Sequence, residues 1–579
     1  MTNGSVKEGP RAFALVLHGH LPYVLSHGTW PHGSDMLFEC TAESYLPLLR
    51  TFDRLVDEGV SPKVTMGLTP VLCEQLAHPS FPDQFCHYLG LRVRGAEENR
   101  EEFVRTGQPE MAELAEMWRV QYLGVKSDFE ERYGRDLLAQ YRRLQDGGHI
   151  EVMTSAATHA YLPLIGSDES VGAQVKLAVQ SYTRHFGRAP RGFWLPECAY
   201  RPRYAWKSPL SDAGPQTPQL RKGVEEFLAE SGLHYFIVDT ATLLGGATSG
   251  VYLSRFSALQ RLWEQLRASY QPAATDITKS PYRSYLAASV ESDRPPVAVY
   301  TRDERTGIQV WSGEHGYPGD GWYLDFHKKH YPGGHRYWRV TSSQSDLADK
   351  FRYEPWQTGA RVQENADHFC HLVHEILTSQ PGGSVLCAPY DAELFGHWWF
   401  EGPEWLYRVV KGNAANPAVT AMTCAEHLGA VTPEAAVSLP EGSWGQGGFH
   451  WVWLNEWTEW IWRHIYAAEE EFPELAAAAG ERGDPLLTEI VTQAARELLL
   501  LEASDWPFLI STWSARDYAE GRAARHFDVY SRLAAMAKRR GAGEELAEDD
   551  ARFLEENKER DSLFPELNVG WWERVAVSG

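Results

Sequence analysis

Short, near-continuous apolar runs recur through the N-terminal two thirds of the chain, and each ends in polar residues. They are AFALVLHGH (12–20), PKVTMGLTP (62–70), IEVMTSAATH (150–159), GFWLPECAY (192–200), HYFIVDT (234–240), IQVWSGEHG (308–316) and SVLCAPYDAE (384–393). Runs this short, without strict polar alternation, predict strands buried on both faces, as in a parallel sheet. Helical stretches fall between several of them, at 43–58, 136–146, 170–186, 220–232 and 364–379. Repeated strand–helix alternation predicts an α/β fold, either a barrel or a doubly wound sheet. In both, functional groups gather at the carboxyl ends of the strands. The seven runs end in His18 and His20, Thr69, His159, Glu197, Asp239, Glu314 and Asp391. One polar residue after one strand is ordinary, because loops begin polar. The repetition gives the pattern weight.

Two stretches read as insertions. Residues 201–219 are turn-rich and predicted irregular. Residues 241–298 begin Gly-rich (LLGGATSG) and end Pro-rich (ESDRPPVAV). A loop of that length in an enzyme reads as a lid or subsite wall. Beyond about residue 400 the pattern turns helical. Asp484 predicts an N-cap with Pro485 at the first helical position. Leu487, Ile490, Val491, Ala494, Leu498 and Leu501 then mark one apolar face. Residues 517–540 predict another helix. The last 40 or so residues are charge-rich and read as partly solvated, with GWWERV as the segment able to dock. The chain thus divides into a barrel over 1–415 and a mainly helical region over 416–579.

Composition narrows the function classes. A formal net charge of −23 opposes phosphate-backbone binding, so nucleic acid is excluded as a partner. No apolar run reaches the roughly 18 residues that span a membrane, and the N-terminus lacks a signal-peptide core. Seven cysteines without a CxxC pair predict reduced thiols in a cytoplasm. The 22 tryptophans ask for more than packing, since flat aromatics also stack on sugar rings.

Glu197 stands among Phe193, Trp194, Pro196 and Tyr200, and Asp391 among Tyr390, Phe395, His397, Trp398 and Trp399. A carboxylate in apolar company needs a partner or a task. Two acids on different strand ends, both walled by aromatics, suit glycosidic chemistry: one attacks the anomeric carbon, and the other protonates the leaving oxygen. Aromatic enclosure also raises the pKa of an acid. The ordinary alternative is that both make caps or salt bridges, and Glu393 competes for the acid role. His18 and His20 form an HxH at the end of the first run, with His159 as a possible third member. They read as donors to sugar hydroxyls, as metal ligands of a hydrolase, or as bonded core histidines. Between 451 and 462 stand five tryptophans, of which Trp453, Trp457 and Trp460 would share one helix face. A stripe at that spacing is usually core, but five exceed what one face can bury, so some should line a groove.

In this order, HGHLPY, IEVMTSAATHAYLPL, GFWLPECAY, APYDAELFGHWWFEGP and the Trp-rich segment resemble the five sequence regions of glycoside hydrolase family 57. VWSGEHGYPGDGWYLDFHKK (310–329) and LEASDWPFLISTWSARDYA (501–519) are similar to its 1,4-α-glucan branching subgroup. The resemblance covers nearly the whole chain. It implies an incomplete (β/α)7 barrel with inserted loops and a C-terminal helical domain that contributes to an acceptor groove. It implies Glu197 as nucleophile and Asp391 as general acid/base. His18, His20 and His159 then surround the central sugar, while Trp311, Trp453 and Trp462 shape the acceptor groove. Arg302, Gly319, Trp453 and Asp505 match substrate-binding positions, and the insertion after Asp239 matches a mobile loop with Tyr252 near its tip. The implied partner is α-1,4-glucan, as donor and acceptor, handled by a monomer with no metal and no cofactor. Two departures stand out: 201–219 and 262–296 are longer than in compact members, and Ser514 stands where the subgroup has Gln. The implied reaction is transfer of a cleaved α-1,4 chain to a 6-hydroxyl, in glycogen-type synthesis. The rivals are an α-amylase or 4-α-glucanotransferase, a metal-dependent hydrolase using the HxH, and a glucan-binding protein without catalysis.

Overall fold

The computed structural model describes residues 9–245, 256–267, 274–288, 294–312, 316–342 and 344–573. In chain order its strands are β1 (Ala12–Gly19), β2 (Val64–Leu68), β3 (Ile150–Ser155), β4 (Gly192–Trp194), β5 (Tyr204–Trp206), β6 (Gln219–Arg221), β7 (Tyr235–Val238), β8 (Tyr285–Ala287), β9 (Ala298–Thr301), β10 (Val385–Asp391), β11 (Thr420–Ala421) and β12 (Ala436–Val437). The order β10-β1-β2-β3-β4-β7-β9 is a parallel run of seven. Its two outer strands meet at one parallel bridge, Arg302 with Cys387, where the Asp303 amide donates to the Cys387 carbonyl at 2.9 Å. The sheet therefore curls into a barrel whose seam is a single bridge. Outside that run, β8 lies antiparallel to β9, β12 parallel to β8, and β11 parallel to β1.

The apolar runs are strands because both faces are covered. All of β1, β2 and β3 is buried. Along β1, Phe13, Leu15 and Leu17 join the core under the surrounding helices, while Ala12, Ala14 and Val16 join the core inside the barrel. The two-residue period then sends His18 inward as well. Inside, its ring stacks on Trp194, with centroids 4.6 Å apart.

Six of the seven expected strands form where the pattern put them. The run at 308–316 does not. Residues Glu304–Trp311 are a helix, with the Asp303 side chain accepting from the Thr306 amide at its start. Its apolar positions Thr306, Gly307, Val310 and Trp311 are buried at three- and four-residue spacing, which is helical. The missing strand is β9, only four residues long and preceded by Pro295 and Pro296, so it looked like the end of an insertion. Glu314 lies outside the described residues. The 201–219 stretch is less irregular than expected, since β5 and β6 pair there as a hairpin. The stripe Trp453, Trp457 and Trp460 also fails, because residues 449–458 are turns and the helix starts at Glu459.

The C-terminal helices are Glu459–Arg482, Pro485–Leu501, Asp505–Thr512, Arg516–Gly541 and Glu548–Arg560. Asp484 caps the second by accepting from the Leu486 amide, and all six residues of its expected apolar face are buried. The end of the chain docks: Trp572 is buried and its indole donates to Ser170 Oγ at 3.1 Å, on helix Asp168–Phe186.

Gly192 opens β4 opposite Tyr235. A Cβ there would come within 2.2 Å of the Tyr235 ring, whose hydroxyl is held by Glu151 at 2.7 Å. The ring cannot swing aside. Gly192→Ala should destabilise the fold by roughly 1–3 kcal/mol in urea unfolding, the usual range for overpacking.

Candidate active site

The site lies where the strands end. His18 sits in register with Asp391 of β10, so both side chains leave the same face of the sheet. Glu197 follows β4 in a tight turn at φ 61°, with Cys198 at φ 48°. Left-handed backbone at a non-glycine residue is costly and concentrates at functional sites. Two bonds hold the turn: the Cys198 amide to the Leu195 carbonyl at 2.8 Å, and the Trp444 amide to the Glu197 carbonyl at 3.1 Å.

Glu197 is partly buried, with its carboxylate held in a desolvating setting. Oε2 accepts from Trp444 Nε1 at 2.8 Å, and Oε1 accepts from Ser504 Oγ at 3.3 Å. Desolvation pushes its pKa up to about 7. The charge of Asp505 adds to the rise, while the Trp444 bond, His20 and the Ser504 bond oppose it.

A chain of hydrogen bonds runs back from Glu197. Ser504 Oγ lies 2.8 Å from His159 Nδ1, and His159 Nε2 lies 3.2 Å from His18 Nε2. Burial, then the neighbouring His20, pushes the pKa of both His18 and His159 well down, so both are neutral. With Ser504 donating to Glu197, the bonding pattern assigns one order: His18 Nε2–H to His159 Nε2, and His159 Nδ1–H to Ser504. His20 belongs to a second set. Its Nε2 meets Asp505 Oδ2 at 3.0 Å, its Nδ1 meets Thr69 Oγ1 at 3.0 Å, and its amide donates to Glu393 Oε1 at 2.9 Å. The His20 and His159 rings stack at 3.9 Å.

Glu393, the competitor for the acid role, is buried and bonded to Tyr45 and to the His20 amide. It positions His20. Asp391 ends β10 half-buried. Burial drives the pKa of the Cys198 thiol well up, and Arg302, Asp239, Glu197 and Asp391 all act on it electrostatically, so the four charges lie near that thiol. Arg302 and Asp239 are buried and paired at 2.6 Å. Asp239 also caps the next helix by accepting from Ala241 N at 3.0 Å. The Arg302 guanidinium lies 5.7 Å from the Trp444 ring centre, and that ring packs edge-on against Trp194 and Trp311.

Not every expected residue faces the cleft. Trp311, Trp453 and Trp462 are buried. Trp453 stacks on Tyr161 at 4.4 Å, and Trp462 donates to the Trp453 carbonyl at 2.9 Å. They build the wall behind the site. Gly319 closes a turn whose Tyr317 packs on His368 and Trp405. Tyr252 lies outside the described residues. Two contacts of Glu197 were not foreseen, Trp444 and Ser504. Trp444 stands in SWGQGG, just before the Trp-rich segment, and Ser504 stands beside Asp505. One atom each of His20, His159 and Asp505 lie within 4.8 Å of one another, a cluster able to hold a cation. It differs from the His18, His20 and His159 set that the HxH suggested.

Comparison with known proteins gives this arrangement a context. The family described as Glycosyl hydrolase family 57 matches residues 14–440, and that described as 1,4-alpha-glucan branching enzyme, C-terminal, matches residues 464–572. A 1,4-alpha-glucan branching enzyme of Thermococcus kodakarensis is 40% identical over 561 residues, covering 96% of this chain and 78% of that protein. The crystal structure of a GH57-type branching enzyme from Pyrococcus horikoshii superposes with a TM-score of 0.85 at 38% identity, covering 97% of each chain. The alpha-amylase AmyC of Thermotoga maritima superposes at 0.77 and 26% identity, covering 98% of this chain and 100% of that one.

The raised pKa of Glu197 carries a stability consequence. A carboxyl with a folded pKa above its unfolded value stabilises the fold at low pH and loses that contribution as pH rises through the folded value. Glu197→Gln has no charge to bury. It should be more stable than the parent by roughly 2–3 kcal/mol near pH 8 in urea unfolding, with the gap closing as pH falls toward 4.5.

Proposed function

The chain belongs to glycosyl hydrolase family 57, and from that membership we propose that it is a retaining 1,4-α-glucan branching enzyme. One observation carries the branching reading. The region that matches the branching-enzyme C-terminal family delivers Ser504 onto Glu197 and Asp505 onto His20, inside the catalytic centre.

In the first step Glu197 Oε attacks C1 of an α-1,4-linked glucosyl unit. The C1–O4 bond breaks, and Asp391 gives its proton to O4 of the departing chain. In the second step Asp391 takes the proton from the 6-hydroxyl of an acceptor, O6 attacks C1, and Glu197 leaves. Two displacements at C1 retain its configuration and form an α-1,6 branch. Attack needs Glu197 ionised, and Trp444 and Ser504 favour that form against desolvation. His20 and Asp505 are partly open to solvent and meet sugar hydroxyls, while the buried His18 and His159 act through Ser504. The apolar wall of Trp194, Trp444 and Trp311 limits water around the intermediate.

The reading extends to action as a monomer on an amylose- or glycogen-like polymer. No described helix is long and apolar enough to cross a membrane. The proposed role is cytoplasmic, in glycogen-type synthesis. The likeness to an alpha-amylase favours one other outcome of the same chemistry, with water as acceptor.

Linkage analysis separates the two. NMR of products from amylose should show new α-1,6 linkages, and their absence with rising reducing ends would leave an amylase. Glu197→Gln and Asp391→Asn should each abolish turnover while glucan binding persists. Activity that vanishes in chelator and returns with a divalent metal would instead point to the His20, His159 and Asp505 cluster. The acid limb of kcat/KM should fall near pH 7, where Glu197 protonates. Trp444→Phe removes a bond that lowers this pKa, so that limb should move up by about one unit.

A further inference from the structure

Of the five tryptophans between 451 and 462, Trp451, Trp453 and Trp462 are buried, which leaves Trp457 and Trp460 half-buried and without a use so far. Trp457 meets Trp513, with ring centres 5.6 Å apart at 51°. Trp513 is 48% exposed. It caps the helix Asp505–Thr512 at φ 59°, ψ 19°. That left-handed position normally takes glycine, since a bulky side chain there is strained. A large aromatic held in a glycine position and turned to solvent points to a use for the ring.

Two cations lie over the ring. The Arg261 guanidinium carbon lies 5.0 Å from the Trp513 ring centre, and that of Arg516 lies 5.6 Å away. Arg516 is held by Glu520 at 2.8 Å. Arg261 belongs to the helix Ser257–Leu266, within the insertion after Asp239, which packs on the Asp505–Thr512 helix through Phe256 and Phe508. Insertion and C-terminal region therefore meet at this ring. The helix that ends in Trp513 begins at Asp505, which pairs with His20, and is preceded by Ser504, which is bonded to Glu197. Eight residues of helix put the ring about 12 Å from Asp505 along the helix axis.

We propose that Trp513, with Trp457, Arg261 and Arg516, forms a glucan subsite at the outer rim of the cleft, where it holds a part of the polymer remote from the bond being cut. The exposed part of the ring offers apolar surface to the C–H groups of a glucosyl unit, and the guanidinium groups over it offer donors to the sugar hydroxyls. Continuity with Asp505 and Ser504 makes the occupant the same polymer that reaches Glu197. The formal charge of −23 disfavours a nucleic acid there. Such a subsite selects long chains over short ones, because a short donor ends before it reaches the rim.

The proposal rests on the glucan reading, and the test keeps the two apart by measuring binding in Glu197→Gln, with no turnover required. Trp513→Gly removes the ring and suits the backbone, so its thermal midpoint should hold or rise. In affinity electrophoresis through amylose it should bind about tenfold more weakly than the Glu197→Gln parent, and Trp513→Phe should recover most of that loss. Unchanged amylose affinity in Trp513→Gly overturns the proposal. So does joint loss of stability and affinity, which would make Trp513 a packing residue. Absence of α-1,6 products from the wild-type chain would overturn branching alone, and leave the binding result to decide the subsite.

Discussion

The site depends on keeping one carboxylate half out of water. Fully solvated, Glu197 would be a weak, well-hydrated base. Fully buried and unbonded, it would stay protonated at neutral pH. The structure holds it between these limits by partial burial and two donors, the Trp444 indole and the Ser504 hydroxyl. Desolvation still wins, which leaves the group near the middle of its titration at neutral pH. Both donors come from segments more than two hundred residues away in sequence. Much of the chain's length therefore serves to hold them on one side chain.

The sheet alone cannot do this. It supplies Glu197, Asp391, the histidines and the Asp239–Arg302 pair at its rim. The seam between β9 and β10 is one bridge, and Arg302 stands on it. Its guanidinium neutralises Asp239 on one side and lies beside the Trp444 ring on the other. Closing the barrel and placing the indole that holds Glu197 thus involve the same arginine. This explains why a buried ion pair is kept where apolar residues would be no less stable.

The strand-end chemistry was legible because it repeats. Six of the seven strands and the residues at the rim follow from apolar runs ending in polar groups, and the cap at Asp484 follows from Pro485 behind it. Failures came where a local pattern was ambiguous. IQVWSGEHG has an apolar start that suits strand or helix, and only the buried spacing of Thr306, Val310 and Trp311 decides for helix. β9 has four residues behind two prolines, too short for periodicity to register. The tryptophan stripe failed because turn chemistry around Asn455 broke the helix. There the Asn455 side chain donates to the Trp451 carbonyl and accepts from the Trp457 amide. Trp444 and Ser504 were invisible for another reason. Nothing local distinguishes a tryptophan or serine that donates to a distant carboxylate from one that does not.

That Ser504 lands within bonding distance of Glu197 requires the helical region to dock in one register. Apolar packing such as Leu498 and Leu501 supplies attraction, but it tolerates small slides. A buried polar network does not. His27, in the loop after β1, meets Asp561 at 2.6 Å; His526 meets Glu497 at 2.7 Å; and Gln493 donates to Glu497 at 3.1 Å. The His27–Asp561 and His526–Glu497 side chains are almost fully buried. Burial pushes His27 and His526 down and Glu497 up, so these three side chains favour their neutral forms and hold their partners through hydrogen-bond geometry. Any slide of the helices past the β1 loop would leave such groups unpaired at a cost of about 1–3 kcal/mol each. The network fixes position more than it adds stability, and the position it fixes is that of the Pro485–Leu501 helix, three residues before Ser504.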